Sequence, residues 1–190
     1  EHLPSDGRCL LAPSPHQSLL DTPSIMSEIN LPHISLAVDR FKDEVIFGYT
    51  YQSWTVMFDE NDPKGDGMRA MNDLKNLVDQ WITPLIFPEG ERNTTDKLLL
   101  PIRPWFAILA LEKNLPIVPI AIIGTKNILP VWEKDMYPGH IHIEVLSPIT
   151  LTEEERLDYD TQYKQLWVGS TPLQLTRIQA KFIRLLSQRY

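Results

Sequence analysis

The sequence predicts a single α/β domain with a mostly parallel or mixed central sheet flanked by helices. Short apolar runs such as Cys9 to Ala12, Leu85 to Phe87 and Ile117 to Ile122 alternate with segments of helical periodicity, the rhythm of strands covered by helices on both faces. A chain of 190 residues with 43% hydrophobic content can bury roughly 70% of its unfolded surface, enough for one substantial core. With 23% charged residues it is too apolar a mixture for disorder.

The first strand, Cys9 to Ala12, closes at the Pro13 and Pro15 turn, and Ser18 then caps a helix from about Leu19 to Glu28, with Asp21 three positions on as in a capping box. Ile34 to Val38 and Trp54 to Phe58 are the next strands, separated by the less regular Asp39 to Ser53. Asp59 to Gly67 is a polar loop by turn chemistry. Its acids lack the closing glutamate of a helix-loop-helix calcium site. Met68 to Trp81 is a helix whose Met71, Leu74, Leu77, Val78 and Trp81 form a core-facing stripe.

Leu85 to Phe87 is a buried strand ended by Pro88, followed by a polar loop from Glu89 to Lys97. Pro104 starts a helix running to Lys113, with Asn114 near its C-terminus. Ile117 to Ile122 has the β-branched, apolar character of a central strand, and Pro119 within it predicts a bulge or an edge. His140 to Leu146 alternates like a strand with one wet face. His140 and His142 share that face and read as a solvent-exposed pair, since no third metal ligand is placed. Glu153 to about Val168 and Thr171 to Arg189 are the last helices. The stripe Leu175, Ile178, Phe182, Leu185 and Leu186 suits packing on the domain, with an anionic membrane surface as the alternative for its basic flanks. The organisation is thus a domain over residues 1–150 and a helical extension over 151–190 packed on it.

A net charge of −7, from 18 basic and 25 acidic residues, argues against a nucleic-acid partner. One cysteine, Cys9, excludes an intramolecular disulfide and reads as a small buried hydrophobe. No run approaches the roughly 20 apolar residues of a spanning helix, and the first residues lack a signal-peptide layout. The expected location is cytoplasmic, or peripheral on the cytoplasmic face of a membrane, with an upstream anchor compatible with a chain that starts without methionine.

Ligands of such sheets sit outside the carboxyl ends of the strands, which directs attention to two polar groups following strands. His16 has the proton affinity of a general base, and Asp21, five residues on, is placed to take its ring N–H. The alternative is a capping-box Asp21 and a loop-lining His16. In the stretch FPEGERN, Gly90 allows a tight turn, Arg92 offers a bidentate fork for phosphate, Glu89 can orient such groups, and Arg103 is a second cationic contact. No nucleophile elbow, Walker loop, glycine-rich dinucleotide turn or HExxH motif is present, so neither a serine hydrolase nor a nucleotide enzyme is indicated.

Taken together, these blocks resemble the glycerol-phosphate and lysophosphatidate acyltransferase family, whose hallmarks are NHxxxxD, a block ending IDR, FPEGTRS and a VPIVPV-like strand. HQSLLD keeps His16 and Asp21 of the first, Glu89, Gly90 and Arg92 match the third, and LPIVPIAIIG from Leu115 to Gly124 is similar to the fourth. The resemblance covers residues 9–150. Pro15 stands in place of asparagine, Glu60 in place of the IDR arginine, and Glu91 and Asn93 in place of threonine and serine. Arg103 matches the lysine of an FKxG block and Trp105 its glycine.

The resemblance implies a glycerolipid-acyltransferase-like fold and an O-acyltransferase of phospholipid biosynthesis. His16, oriented by Asp21, would act as general base, moving a fatty acyl group from acyl-CoA or acyl-carrier protein to a hydroxyl of a glycerol-phosphate or lysophospholipid acceptor. Glu89, Gly90, Arg92 and Arg103 would hold the acceptor's phosphate, and main-chain N–H groups near the helix start would hold the oxyanion. It implies no cofactor beyond the acyl donor, no metal, and contact with a membrane surface. Two alternatives stand beside it: the same fold acylating a non-phosphorylated acceptor, and a catalytically impaired lipid-binding or scaffold protein.

Overall fold

The computed structural model describes residues 2–39, 54–62, 64–150, 152, 180–184 and 186. The described chain runs β1 (Leu10–Ser14), α1 (Asp21–Glu28), β2 (His33–Val38), β3 (Thr55–Phe58), α2 (Asp66–Asp79), β4 (Thr83–Leu85), α3 (Trp105–Lys113), β5 (Ile117–Ile123), α4 (Thr125–Ile128) and β6 (His142–Val145). The strands form one six-stranded sheet in the order β3-β2-β4-β1-β5-β6. Five strands are parallel, and β6 joins antiparallel to β5. The mixed α/β sheet expected from the sequence is therefore present, and its parallel strands present their carboxyl ends along one edge.

Alternation along β1 divides the core. Leu10 and Ala12 join Leu74, Phe106 and Leu109 on the face covered by α2 and α3. Cys9 and Leu11 join Ile25, Val118, Ile120 and Ile122 on the face covered by α1. Two-sided burial is why β1 and β5 read as nearly continuous apolar runs. Phe182 and Leu186 are fully buried in the first cluster, with the Phe182 ring 5.4 Å from that of Phe106. The expected helix from Glu153 to Val168 and most of Thr171 to Arg189 lie outside the described residues, as does nearly all of Asp39 to Ser53.

Two local expectations are corrected and a third is refined. Trp81 does not complete the stripe of α2: the helix ends at Asp79, and Trp81, at φ 66°, turns out to 62% exposure with the Arg8 guanidinium 5.1 Å from its ring centre. The third apolar run is in strand conformation at Thr83–Leu85, so Pro84 lies inside the strand and pairs with Ile34, while Ile86 and Phe87 are buried just beyond it.

Pro119 causes no bulge in β5, whose pairing with β1 runs unbroken from Leu10↔Ile117 to Ser14↔Ala121. Its carbonyl accepts the Leu146 N–H, so its missing donor faces the end of β6, where little ladder is lost. The extra residue sits on the partner: Leu146 and Ile149 bond to Pro119 and Ile117, three residues apart against two.

The acids of Asp59 to Gly67 serve the backbone. Asp66 Oδ2 accepts the Asp59 N–H at 2.7 Å, Asp62 Oδ1 accepts that of Gly65 at 2.9 Å, and α2 begins inside the expected loop. His140 and His142 are both exposed. Gly124, at φ 101°, has no room for a side chain, since a Cβ would collide with the His140 carbonyl where the chain leaves β5.

Burial and a nearby Asp6 push the Cys9 thiol up to about 12. Cys9 will therefore not react with a thiol reagent in the native protein, and one thiol per chain will appear on denaturation; rapid native labelling would contradict the packing. Phe182→Ala will cost about 3 to 5 kcal/mol in urea unfolding, the range for emptying a buried aromatic site.

Candidate active site

His16 leaves the end of β1 two residues after Ser14 and reaches the carboxyl edge of the sheet just before α1. Its Nδ1 lies 2.7 Å from Oδ2 of Asp21, which is fully buried at the first position of α1. The same oxygen accepts the N–H groups of Gln17 at 2.7 Å and Ser18 at 2.9 Å. A carboxylate only accepts, so in the neutral ring the proton is held at Nδ1 and Nε2 is left with a lone pair. Asp21 Oδ1 is buried with no partner among the described residues.

Ser18 does not cap α1 in the expected way. The helix starts at Asp21 with Leu20 as its N-cap, and no side chain caps it. The Ser18 hydroxyl instead donates to the Leu129 carbonyl at 2.8 Å and accepts the Leu20 N–H at 3.1 Å, pinning the turn to the segment after β5. The other half of the capping box survives, because Asp21 takes the Ser18 N–H. Four main-chain donors near the start of α1 are engaged within the turn: Gln17 and Ser18 serve Asp21, Leu20 serves the Ser18 hydroxyl, and the Asp21 N–H serves the Ser18 carbonyl.

Glu89, expected from the sequence to orient phosphate-binding groups, is fully buried beneath the histidine loop. Its Oε1 accepts the Ser14 hydroxyl at 2.8 Å and the His16 N–H at 2.7 Å, and its Oε2 accepts the Leu100 N–H at 3.0 Å. Burial raises its pKa above the ordinary glutamate value, and the three donors partly offset that rise. The His16 carbonyl accepts the Asn93 N–H at 2.5 Å. The Asn93 side chain in turn ties its own loop to Thr95 and Lys97. Phe87 stacks on the imidazole, with centroids 3.8 Å apart and planes 20° apart.

Backbone, ring edge and ring face of His16 are thus each fixed by a different group. Ser14, Phe87 and Asn93 were not singled out for this from the sequence. The available signal was the position of FPEG at the end of an apolar run, where a glutamate beside Phe87 and Pro88 would be carried into the interior.

The other expected residues line a cavity of about 350 Å³ with His16; its wall includes Glu60, Glu91, Arg92, Arg103 and Trp105. Gly90, at φ 74°, makes the turn that brings this loop over the cavity, and a Cβ there would stand 3.2 Å from Arg103 Cγ. Arg103 is anchored by its own N–H to the Pro88 carbonyl at 2.7 Å, and its guanidinium lies 3.3 Å from Glu91. Arg92 is half-buried. Trp105 and Phe106 bring the start of α3, and the positive end of its dipole, to the same wall.

A mainly parallel sheet thus carries a buried Asp21 paired with His16 at its carboxyl edge, beside a cavity lined by two guanidiniums and two carboxylates, an arrangement compatible with general-base chemistry. Residues 1–123 match the family model described as Acyltransferase, and the chain belongs to that family. It is 29% identical over 164 residues to a 1-acyl-sn-glycerol-3-phosphate acyltransferase of Cocos nucifera, covering 83% of this chain and 52% of that protein. It is 28% identical over 141 residues to the human 1-acyl-sn-glycerol-3-phosphate acyltransferase beta, covering 72% and 49%.

The chain spans about half the length of these curated relatives. The crystal structure of the 1-acyl-sn-glycerophosphate acyltransferase PlsC from Thermotoga maritima superposes with a TM-score of 0.63 at 22% identity, covering 90% of this chain and 71% of that one. The fold is therefore shared with a glycerolipid acyltransferase.

Glu89→Ala will cost about 3 kcal/mol of stability, because it strands buried donors worth roughly 1 to 3 kcal/mol each. The raised Glu89 pKa fixes the sign of a pH effect. Above about 4.3 the unfolded glutamate ionises while the native one keeps its proton, so wild-type stability falls relative to Glu89→Gln as pH rises through the interval up to the raised value. Urea denaturation of both proteins across that interval measures the slope; a rise would contradict the burial.

Proposed function

We propose that the chain transfers a fatty acyl group from the thioester of acyl-CoA or acyl-carrier protein to a hydroxyl of a glycerol-phosphate or lysophospholipid acceptor. The observation that carries this reading is the 2.7 Å contact of His16 Nδ1 with buried Asp21 at the mouth of a cavity that Arg92 and Arg103 also line. Nε2 takes the acceptor hydroxyl proton as the oxygen attacks the thioester carbonyl. The tetrahedral intermediate collapses, the C–S bond breaks, and the sulfur leaves with the proton returned by the imidazolium. The products are an ester and a free thiol, and no covalent enzyme intermediate forms.

In this scheme Asp21 is a positioning residue that fixes the tautomer and stabilises the imidazolium. Glu89 is also a positioning residue and acts on His16 through its backbone. Arg92, Arg103 and the start of α3 hold the acceptor's phosphate, with Gly90 shaping the loop. Trp132 on the cavity rim, 83% exposed, suits contact with the lipid surface that supplies or receives the acyl chain. Among the described residues, no helix is long and apolar enough to cross a membrane.

With palmitoyl-CoA as donor, a lysophospholipid or glycerol 3-phosphate will stimulate thiol release, and His16→Ala will lower that release about a thousandfold. Arg92→Ala will raise the acceptor KM about tenfold with a smaller change in kcat. Release that is equal in wild type and His16→Ala would remove the general-base assignment.

A further inference from the structure

One loop grips the backbone of His16 at both ends. Glu89, at the start of the connection from β4 to α3, accepts the His16 N–H at 2.7 Å, and Asn93 donates its own N–H to the His16 carbonyl at 2.5 Å. Both peptide groups that flank the base therefore follow the conformation of residues 89–93. Glu89 is fixed by its burial and by the Ser14 and Leu100 donors. Asn93 has no such footing in the chain beyond it, because residues 94–98 are exposed, and exposed polar loops are ordinarily the more mobile parts of a fold.

The Asn93 side chain, itself fully buried, closes that loop. Its Oδ1 accepts the Thr95 N–H at 2.9 Å, an Asx turn, and the Thr95 hydroxyl at 2.7 Å. The Thr95 hydroxyl oxygen accepts the Lys97 N–H at 3.2 Å, and the Lys97 carbonyl accepts Asn93 Nδ2 at 2.7 Å. Asn93, Thr95 and Lys97 thus form a closed ring of hydrogen bonds. The amide orientation follows from its partners, since a backbone N–H requires the oxygen and a backbone carbonyl requires the NH2 group. Serine, which the block FPEGTRS carries at this position, supports such a turn more weakly and has a single donor where asparagine has two.

We infer that the Asn93 side chain is a positioning residue for proton transfer: by closing residues 93–97 into one unit it aims the Asn93 N–H at the His16 carbonyl and so keeps the imidazole against Asp21. This inference rests on the general-base reading above and assigns to it a residue that does not line the cavity. Its neighbours Arg92 and Thr94 do line the cavity, so the balance between kcat and KM is the deciding readout.

The test measures kcat and acceptor KM with palmitoyl-CoA and lysophosphatidate for wild type, Asn93→Ser and Asn93→Ala, with thermal melting to verify that each is folded. Asn93→Ala will lower kcat by about ten- to a hundredfold, the scale of an ångström-sized misplacement of a reacting group, while the acceptor KM stays within about threefold. Asn93→Ser will fall between the two. Nitrogen NMR of Asn93→Ala at alkaline pH will show part of the neutral His16 ring protonated at Nε2 instead of Nδ1. Thr95→Val, a change at an exposed residue, removes two bonds of the same ring; it will lower kcat in the same direction by a smaller factor, and it carries the test if Asn93→Ala melts below the assay temperature.

An unchanged kcat, a rise in KM at constant kcat, or a His16 ring still wholly protonated at Nδ1 in the folded variant each overturns the assignment and leaves acyl transfer standing. Thiol release that is equal in wild type and His16→Ala removes the general-base reading, and this inference with it.

Discussion

Two buried carboxylates hold one histidine, and the site depends on that arrangement. Asp21 gathers the His16 ring and two backbone N–H groups on a single oxygen, while Glu89 gathers the His16 backbone and two further donors. A carboxylate taken out of water is costly unless donors surround it, so each acid organises the chain about itself. Because His16 belongs to both clusters, ring and backbone cannot relax independently. The Phe87 face and the Asn93 N–H restrain what remains.

The sheet makes this possible. Five parallel strands deliver the residues after β1, β3 and β4 to one edge, so histidine, arginine and glutamate far apart in sequence meet around one cavity. In the turn between β1 and α1 the Gln17 and Ser18 N–H groups serve Asp21 and so help to position His16. The arginines and the start of α3 line the same cavity as His16. His16 and the arginines are thereby carried by different elements.

What the sequence made legible follows from distance along the chain. The His16 and Asp21 pair is local, and its spacing directly indicated the contact observed. Most strands were readable because burial on both faces writes an apolar run, and α2 because amphipathicity writes a stripe. Trp81 broke the stripe because a positive φ just past the helix end redirects the chain, which periodicity does not encode. At Pro119 the bulge was legible but not its side: the extra residue lies on the partner past β6, because the harm a proline does depends on which neighbour its nitrogen faces. Glu89 was the deepest misreading: its partners Ser14 and His16 are 75 and 73 residues away, so its motif could be seen but its burial could not. Glu60 was legible as an altered position, yet its place beside the arginines required the strand order.

The most direct test is the tautomer of the neutral His16 imidazole, read by nitrogen NMR at alkaline pH. The account requires the proton on Nδ1, held by Asp21, with Nε2 bare and resonating as an unprotonated nitrogen. Asp21→Asn, whose side chain can donate to Nδ1, should disturb that distribution. A wild-type ring protonated at Nε2 would leave no base facing the acceptor and would contradict the central claim.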